Sequence, residues 1–481
     1  MTKHAIALLL LAGTSLSACN MAPKYVRPDM PVPKETPAGP AYAAGVGAAG
    51  AAAATLPADT AWADFFPEPR LQQVIRTALQ NNRDLRVSLA NVEQARAQYR
   101  VQRADIFPTL GANGGATYQD QPFAAAAGGA GGGAGAASGR TDIYTASVGV
   151  SAWEIDLFGR VRNLSKAAQE QFFTAQANRD AAQTALVAEI ATAWLTLAAD
   201  QEKLGIARDT LAAYAETVKL TEARLAAGVA SELDVRQART SRDQALSDIA
   251  DATTQVAQDQ NALNLLAGTT LDASLLPTSL ADGGVTLNAL PANLPSDVLL
   301  RRPDVIAAEH QLIAANANIG AARAAFFPRI SLTAAFGRMS LGLSNLFGSG
   351  SDYWSVAPSA TLPIFDFGRN AGNLRYAKAT RDAMVAQYEK AVQSAFREVA
   401  DGLARRGTID QQIAAQTSLR DNAQGAYRLS EARFKSGIDP FLTTLDSQRS
   451  FYAAQQSLLA ARLVRESNAV ELYRALGGGL K

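Results

Sequence analysis

Two short stretches of this chain repeat one another: Asp156-Leu157-Phe158-Gly159-Arg160 and Phe365-Asp366-Phe367-Gly368-Arg369. Gly368 follows Gly159 by 209 residues (368 − 159), and the same offset relates several pairs further along the chain. The pairs are Glu189 with Glu398, Ala223-Arg224 with Ala432-Arg433, Gly228 with Gly437, Leu233 with Leu442, and Gly268 with Gly477. A register kept over 109 residues (268 − 159) predicts a tandem duplication in which both halves share one architecture.

The duplication extends upstream with a different offset. Phe326-Phe327-Pro328 follows Ile106-Phe107-Pro108 by 220 residues (328 − 108), and Arg302-Pro303-Asp304-Val305 follows Asn82-Arg83-Asp84-Leu85 by the same distance. The offset changes by 11 residues (220 − 209) near the Gly/Ala-rich run Ala124–Gly139 of the first half, which its composition predicts to be a surface loop. We therefore assign residues 62–282 to a first repeat and residues 283–481 to a second.

Each repeat is predicted to begin with a helix and two strands. The helices are expected over residues 71–105 and 296–325, each ending just before a Phe-Pro pair, because proline disfavours helix in the residue before it. Four segments then alternate between an apolar face and a face of small or hydroxylated residues. They are residues 107–118, 144–152, 328–337 and 353–364. This alternation is typical of strands with lipid on one side and water on the other.

A soluble β-sandwich also has alternating strands, so the alternation by itself leaves two interpretations open. The uncharged polar faces favour the membrane, as do Tyr144, Tyr353 and Trp354, which suit an aromatic belt at a membrane interface. Four strands are too few to close a water-filled barrel, because about eight only just enclose side chains. If the segments span a membrane, several chains must contribute to one barrel.

A long helical stretch follows each strand pair, over residues 160–227 and 369–436. About 68 helical residues extend roughly 100 Å at 1.5 Å per residue. Apolar residues recur every seven positions in the first stretch, which predicts a left-handed supercoil. They are Ile190, Leu197, Leu204, Leu211, Val218 and Leu225. The second stretch is less regular, with Arg406 and Arg420 at two of these places, and after Gly228 and Gly437 return helices are expected over residues 231–266 and 440–476.

The N-terminus has the pattern of an export signal. Lys3 supplies a positive charge, residues 5–11 an apolar run, and Leu16-Ser17-Ala18-Cys19 a small-residue end, so residues 1–18 are predicted to be a signal peptide. The tetrapeptide resembles the bacterial lipobox, which implies that Cys19 becomes the acylated first residue, with Asn20 implying sorting to the outer membrane. Residues 19–61, rich in Pro, Gly and Ala, are expected to be an extended tether behind this anchor.

Composition excludes several classes of function. The chain has 481 residues with 45 Lys plus Arg against 44 Asp plus Glu, so it lacks the basic excess of a nucleic-acid-binding protein. The only histidines are His4 and His310, and Cys19 is the only cysteine. This scarcity argues against metal centres, Cys/His nucleophiles and Ser-His-Asp triads. We expect no enzyme, and no cofactor apart from the covalent lipid on Cys19.

The chain resembles the TolC-like outer-membrane efflux proteins, in particular the acylated branch that serves resistance-nodulation-division (RND) pumps. The resemblance covers the chain from Cys19 to its end and depends on four features together. They are the lipobox cysteine followed by Pro23-Lys24-Tyr25-Val26-Arg27-Pro28, the run Leu299-Leu300-Arg301-Arg302-Pro303-Asp304-Val305, the paired Phe-Gly-Arg motifs, and the paired Ala-Arg-[Leu/Phe]-x-x-Gly-[Val/Ile] turns.

This resemblance implies an α+β membrane protein that assembles as a homotrimer. Four transmembrane strands per chain would make a twelve-stranded barrel in outer-membrane lipid, continued through the periplasm by a long coiled-coil barrel of helices. It also implies a passive duct joined by a periplasmic adaptor protein to an inner-membrane transporter of the RND type.

The resemblance also implies two kinds of site residue. Residues of the two helix turns would dock the adaptor's helical hairpin: Gly228, Val229, Ala230, Ser231, Gly437 and Ile438. Glycine there suits a positive φ angle and a close backbone approach. Asp234 and Asp439 match positions where relatives narrow the pore, with Arg224 and Arg433 as candidate pairing partners. In a trimer each aspartate would form a ring of like charges that repel unless protonated, paired or bridged by a cation.

Other functions fit parts of the pattern. An exit duct for secreted polypeptides has the same architecture and differs mainly in its partners. A periplasmic adaptor has only one hairpin, flanked by compact β-domains, and a coiled-coil structural lipoprotein would have no pore. The exported compound and the transporter class are not encoded in any motif of this chain.

Overall fold

The structure is a computed structural model that describes residues 20–42, 61–120, 140–280 and 295–479. The predicted signal peptide, Cys19 and the Gly/Ala-rich loop lie outside the described residues. The first repeat contains α1 (Trp62–Phe65), α2 (Pro69–Asn81), α3 (Arg83–Ala104), β1 (Leu110–Asp120), β2 (Arg140–Ile155), α4 (Arg160–Ala226) and α5 (Glu232–Ala267). The second contains α6 (Pro303–Ala324), β3 (Arg329–Ser340), β4 (Asp352–Thr361), α7 (Arg369–Lys435) and α8 (Phe441–Ala475).

The two halves have matching elements, as the duplication predicts. Helices α4 and α7 are both 67 residues long, and α3 and α6 are both 22 residues long. The return helices α5 and α8 have 36 and 35 residues. The predicted mixture of long helices and four period-two strands is confirmed.

The first helix of each repeat is interrupted, contrary to the sequence expectation. The predicted helix 71–105 divides at Asn82, whose ψ angle of 134° is not helical. In the second repeat residues Ser296–Arg301 form a 3₁₀ helix, and α6 begins only at Pro303, after Arg302 with ψ 134°. Pro303 explains this break, because it disfavours helix in the preceding residue and suits the first turn of a new one.

All four strands lie in one antiparallel sheet of order β1-β2-β3-β4, so strands of both repeats pair directly. At the central β2–β3 pair Gly149 faces Ala335, and a Cβ on Gly149 would lie 2.2 Å from the Ala334 carbonyl oxygen. The pairing shifts register between Val150 and Trp153, where Ala152 has φ 50° and its N–H donates to Thr333 Oγ1. This β-bulge bends β2 just before its end.

The chain forms two compact units that do not follow the repeat boundaries. One consists of the described residues up to Arg27 with Glu93–Phe173 and Glu309–Ala386, and the other of Pro28–Val92, Thr174–Ala308 and Gln387–Lys481. The first unit holds the sheet, and the second holds both helix turns. Each unit takes segments from both repeats, because strands and helices of one repeat pack on those of the other as well as on each other.

The second unit has an apolar core built from α1, α2, α4, α5 and α8. Phe65, Phe66, Trp194 and Tyr473 are buried in it, with Phe65 and Tyr473 rings 4.5 Å apart. Of the heptad residues on α4, Ile190, Leu197, Leu204 and Val218 are buried, whereas Leu225 at the end of the helix is 37% exposed. The heptad repeat therefore describes the packed part of α4 and ends before the turn.

The described part of the predicted tether is extended and hydrogen-bonded to helices. In the first unit Arg27 makes a two-pronged ion pair with Glu309, at 2.8 and 2.9 Å, and Tyr25 donates to the same carboxylate. In the second unit the Ser296 N–H donates to the Lys34 carbonyl oxygen. Residues 20–42 thus lie along the folded protein.

Candidate functional site

The two helix turns have the same backbone geometry. In the first, the Gly228 N–H donates to the Leu225 carbonyl and the Val229 N–H donates to the Arg224 carbonyl, both at 2.9 Å. In the second, Gly437 and Ile438 make the equivalent bonds to Phe434 and Arg433 at the same distances. This pair of bonds is the Schellman motif, which satisfies the last carbonyl groups of a helix.

Gly228 and Gly437 are needed for their backbone conformation. Their φ angles are 73° and 76°, in the left-handed region that only glycine adopts without strain. A Cβ on either glycine would meet nothing within 4 Å in the described structure. The expected positive φ is therefore present, while the expected close backbone approach is not made within a single chain.

The turns present a duplicated apolar surface, which we call the tip patch: Val229, Leu233, Ile438 and Leu442. Val229 and Ile438 are 64% and 63% exposed, and Leu233 and Leu442 are 65% and 50% exposed. Each pair is related by the repeat offset of 209. Exposed apolar side chains at equivalent places of both turns are suited to contact with another protein.

The Asp234 side chain forms its hydrogen bonds within a local helix cap. The Asp234 N–H donates to Ser231 Oγ at 3.1 Å, and the Ser231 N–H donates to Asp234 Oδ2 at 2.9 Å, which together form a capping box. Within one chain the described contacts of Asp234 are with Ser231 and those of the candidate partner Arg224 are with Phe434. The cap satisfies two N–H groups at the start of α5 and holds the Asp234 carboxylate against its own helix.

Arg433 and Asp439 pair directly across the second turn. Arg433 Nε and Nη2 donate to the two carboxylate oxygens of Asp439 at 2.6 and 2.8 Å. The hydrogen bonds from Arg433 lower the pKa of the Asp439 carboxyl below its ordinary value. Asp439 therefore carries its charge at neutral pH and has that charge balanced within its own chain.

Arg224 instead connects the two turns to each other. Its Nη1 donates to the Phe434 carbonyl at 3.0 Å, and its guanidinium lies 4.6 Å from the centre of the Phe434 ring. Phe434 packs with Val218, Ala238, Phe441 and Leu445 in a small buried cluster beneath the turns. Sequence reasoning missed this cluster, because α5 and α8 bring Ala238 and Phe441 to it.

Sequence analysis used Asn82 and Arg302 only to align the two repeats, but both side chains hydrogen-bond to the C-terminal ends of the return helices. Arg302, whose side chain is only 7% exposed, donates to the Ala475 carbonyl, to both oxygens of Asp304 and to Glu398. In the first repeat Asn82 donates to the Leu266 carbonyl at 2.9 Å. Leu266 and Ala475 are equivalent at offset 209, and Asn82 and Arg302 are equivalent at offset 220. In each repeat, therefore, a polar side chain from the start of the repeat donates a hydrogen bond to a carbonyl group at the end of the return helix.

The family model described as outer membrane efflux protein matches residues 74–269 and 294–478. The chain belongs to the outer membrane efflux protein family. The two matched segments fall one in each half of this efflux protein, and each contains one of the two Schellman turns and one of the two anchored return helices.

Known proteins resemble this outer membrane efflux protein along almost its whole length. The toluene efflux pump outer membrane protein TtgC of Pseudomonas putida is 46% identical over 479 residues, covering 100% of this chain and 96% of TtgC. The solvent efflux pump outer membrane protein SrpC of Pseudomonas putida is 44% identical, covering 98% of this chain and 97% of SrpC. The crystal structure of the open state of the MtrE outer membrane channel of Neisseria gonorrhoeae matches with a TM-score of 0.82 and 38% identity, covering 96% of this chain and 99% of MtrE.

These findings confirm the fold class, the outer-membrane location and the function as the outer-membrane channel of an efflux pump. They agree with the period-two strands and the paired long helices described above. The lipidation of Cys19 lies outside the described residues and stays a prediction, as do the roles of the tip patch in docking and of Asp234 and Asp439 in gating.

Proposed function

We propose that this protein is the exit duct of a tripartite efflux pump and works as a homotrimer anchored by acylated Cys19. A periplasmic adaptor would join it to an inner-membrane transporter of the RND type, which supplies the energy. The observation that carries this proposal is the full-length similarity to named efflux pump outer membrane proteins. We expect the duct itself to use no cofactor and to perform no chemistry.

The exported compounds are proposed to be small toxic molecules, such as apolar solvents and drugs. TtgC is named for toluene efflux, SrpC for solvent efflux, and the equally similar ArpC for antibiotic efflux. A water-filled passage selects weakly, so the transporter would decide which of these compounds is exported. The same names favour small-molecule export over the polypeptide duct considered from the sequence.

The tip patch is proposed to be the place where the adaptor docks. It offers exposed apolar side chains at two equivalent turns, together with the loop residues Gly228, Ala230, Ser231 and Gly437. The Schellman bonds hold these turns in a defined shape before any partner arrives, which lowers the entropic cost of docking.

Both candidate gate aspartates already have side-chain partners within one chain. Asp439 is neutralised by Arg433, and Asp234 is held by its capping box. We therefore propose that a ring of three Arg433–Asp439 pairs, rather than three bare aspartates, narrows the pore at the second turn. Arg224 would support it by holding Phe434, whose neighbour in sequence is Arg433.

A substitution of the tip patch tests export and docking together. In a host lacking its own gene for this protein, the wild-type protein should restore resistance to toluene and to exported antibiotics. The variant Val229→Asp/Ile438→Asp should abolish that resistance while leaving the amount of folded trimer in the outer membrane unchanged. The matched control Val229→Ile/Ile438→Val keeps the patch apolar and should restore resistance fully.

Two results would contradict the proposal. Failure of the abundant, folded wild-type protein to restore resistance would exclude the export function. Full resistance from the aspartate variant would leave export in place but move docking away from the tip patch.

A further inference from the structure

The first described residue, Asn20, is bound to the folded protein by its side chain. Asn20 Oδ1 accepts hydrogen bonds from Asn163 Nδ2 at 2.9 Å and from the Ala22 N–H at 3.0 Å. The same Nδ2 of Asn163 donates to the Gly159 carbonyl at 2.6 Å, and Asn163 is only 4% exposed. Asn163 therefore holds Asn20 within one helical turn of Gly159, where the chain passes from β2 to α4.

The residues after Asn20 run along one face of α6 in the opposite direction to that helix. They contact α6 at three places spaced by seven residues, which is about two helical turns. The contacts are Arg323 with the Met21 carbonyl at 3.3 Å, Asn316 with the Pro23 carbonyl at 2.8 Å, and Glu309 with Arg27 at 2.8 Å. We call residues 20–27 the anchor segment, and hydrogen bonds fix it at both ends and in its middle.

Gly320 of α6 lies where the anchor segment comes closest to that helix. A Cβ on Gly320 would lie 2.7 Å from the Ala22 nitrogen and 2.6 Å from Asn163 Nδ2. Both distances are too short for a real Cβ, so any side chain at this position would displace the anchor segment or Asn163. Glycine is a poor helix former, and this close approach gives a reason for its presence inside α6.

The equivalent positions of the duplication carry residues that do not suit such a contact. The pairs are Gly320 with Arg100 and Asn316 with Arg96, at offset 220, and Asn163 with Gly372, at offset 209. Arginines thus replace shorter residues on the helix face, and glycine lacks the amide that binds Asn20. Because the duplication otherwise keeps the elements of the two repeats alike, these differences follow the anchor segment, of which each chain has one copy.

The anchor segment is joined directly to the residue predicted to carry lipid. Consecutive Cα atoms are about 3.8 Å apart across a trans peptide bond, so acyl chains on Cys19 would leave the protein within one residue of Asn20. Asn20 in turn is bound near Gly159, four residues (159 − 155) after Ile155, the last residue of β2. Because β2 is one of the strands assigned to the membrane, the acyl chains would enter lipid next to the end of that strand.

From these observations we infer that Asn163 and Gly320 form a socket that fixes the lipid anchor beside the passage from β2 to α4. Asn163 is a positioning residue, since it acts through Asn20, and Gly320 leaves the space that the anchor segment needs. The anchor is thus seated at one place on the folded channel rather than at the end of a freely moving tether. The inference rests on the proposed acylation of Cys19.

Photo-cross-linking of the full-length protein in outer-membrane fragments tests where the acyl chains lie. Cells fed a fatty acid with a diazirine next to its carboxyl end supply acyl chains that react with neighbouring residues on irradiation. Mass spectrometry of the digested protein then identifies the peptides joined to the acylated N-terminal peptide. In the wild type most of these should contain residues 153–167, at the end of β2 and the start of α4.

Two substitutions disturb the socket in different ways. Asn163→Ala removes the hydrogen bond to Asn20, and Gly320→Ala places a Cβ against Ala22. Each should lower the share of cross-links within residues 153–167 by roughly threefold or more, because an anchor on a flexible segment samples a larger volume. The matched controls lie in the other unit and should keep the wild-type pattern. They are Asn468→Ala, which removes an equally buried amide that donates to the Gly402 carbonyl at 3.1 Å, and Gly425→Ala.

Two patterns would overturn the socket. They are cross-links spread evenly over the wild-type protein, and an unchanged pattern in a folded Asn163→Ala or Gly320→Ala variant. Native mass and circular dichroism show whether each variant has folded, and if Asn163→Ala has not, Gly320→Ala decides. An N-terminal peptide without acyl chains would instead overturn the proposed acylation, and the inference with it.

Discussion

At the scale of single residues, the turn glycines show how one backbone angle constrains a functional surface. Gly228 and Gly437 both have positive φ, and each directly precedes a residue of the exposed tip patch. Gly425, inside α7, is the contrasting case, because it has helical backbone and a Cβ there would meet no atom of the described residues within 4 Å. These three positions separate the effect of backbone conformation from the effect of crowding.

We therefore expect Gly228→Ala or Gly437→Ala to reduce the free energy of unfolding by about 1 kcal/mol, the cost of a left-handed alanine. Gly425→Ala should raise it by about 0.5–1 kcal/mol, because alanine is the better helix former. Denaturant unfolding followed by circular dichroism measures both. A neutral or stabilising Gly228→Ala would contradict the role assigned to its φ angle.

Asp200 on α4 gives the chain a pH-dependent contribution to stability. Burial, followed by hydrogen bonding to and repulsion from Asp259 on α5, raises the pKa of Asp200 to about 6. A carboxyl whose folded pKa is raised stabilises the fold fully below its unfolded value near 3.9, and that contribution is lost as pH rises through about 6.

Replacing Asp200 by asparagine removes this penalty. Asp200→Asn should raise the melting temperature at pH 7.5, by an amount equivalent to about 1 kcal/mol after allowance for its solvent exposure. At pH 4.5 the variant should melt close to the wild type. Asp251→Asn, at an exposed position on α5, controls for the change in net charge. A pH-independent gain from Asp200→Asn would show that the Asp200–Asp259 contact is not its source.

At the scale of elements, Arg302 and Asn82 bind the ends of equivalent return helices with different sets of contacts. Both donate to the last carbonyls of a return helix, but Arg302 also connects α7 through Glu398 and the start of α6 through Asp304. Burial raises the pKa of Asp304, yet the hydrogen bonds and charge of Arg302 outweigh burial and leave that pKa below its ordinary value. The ion pair thus stabilises the fold above that ordinary value and is lost as pH falls through the lowered one.

Arg302→Met should therefore destabilise the protein by roughly 2 kcal/mol, less than for a fully buried pair because Asp304 and Glu398 are partly exposed. Asn82→Ala should cost about 1 kcal/mol, the value of one hydrogen bond. Arg302→Lys should fall between wild type and Arg302→Met, since lysine lacks the planar fork. Unfolding curves at neutral pH give this ranking, and an Asn82→Ala effect larger than that of Arg302→Met would contradict it.

At the scale of the whole molecule, the proposed duct predicts a measurable channel. In planar bilayers the wild-type trimer should open rarely, and Asp234→Ala/Asp439→Ala should open more often or more widely, because the Arg433–Asp439 pairs at the second turn are lost. Ser231→Ala controls for the capping box, since it removes the cap of α5 without removing charge. Unchanged conductance in the double variant would contradict the gate, and no channel from a sample shown to be trimeric would contradict the duct.

Much of the fold was predictable from the sequence because its signals are local or repeated. Gly228 and Gly437 mark both turns, the alternation marks all four strands, and the constant offset shows that the halves share one architecture. The break at Arg302 was missed although Pro303 signals it, and the break at Asn82 was missed because no proline follows Asn82. Arg433, the partner of Asp439, was among the candidates because it lies only six residues before Asp439, on the other side of Gly437.

The sequence by itself determined the order of the elements, the duplication, the left-handed turn glycines and the family resemblance, all of which depend on residues near each other or on repetition along the chain. Only the tertiary structure decided which side chains meet across elements. It placed Arg224 on Phe434 and Arg302 on Glu398. The physical reason is that such contacts depend on how helices and strands from distant parts of the chain pack, and packing of separate elements is not encoded in the spacing of residues within any one of them.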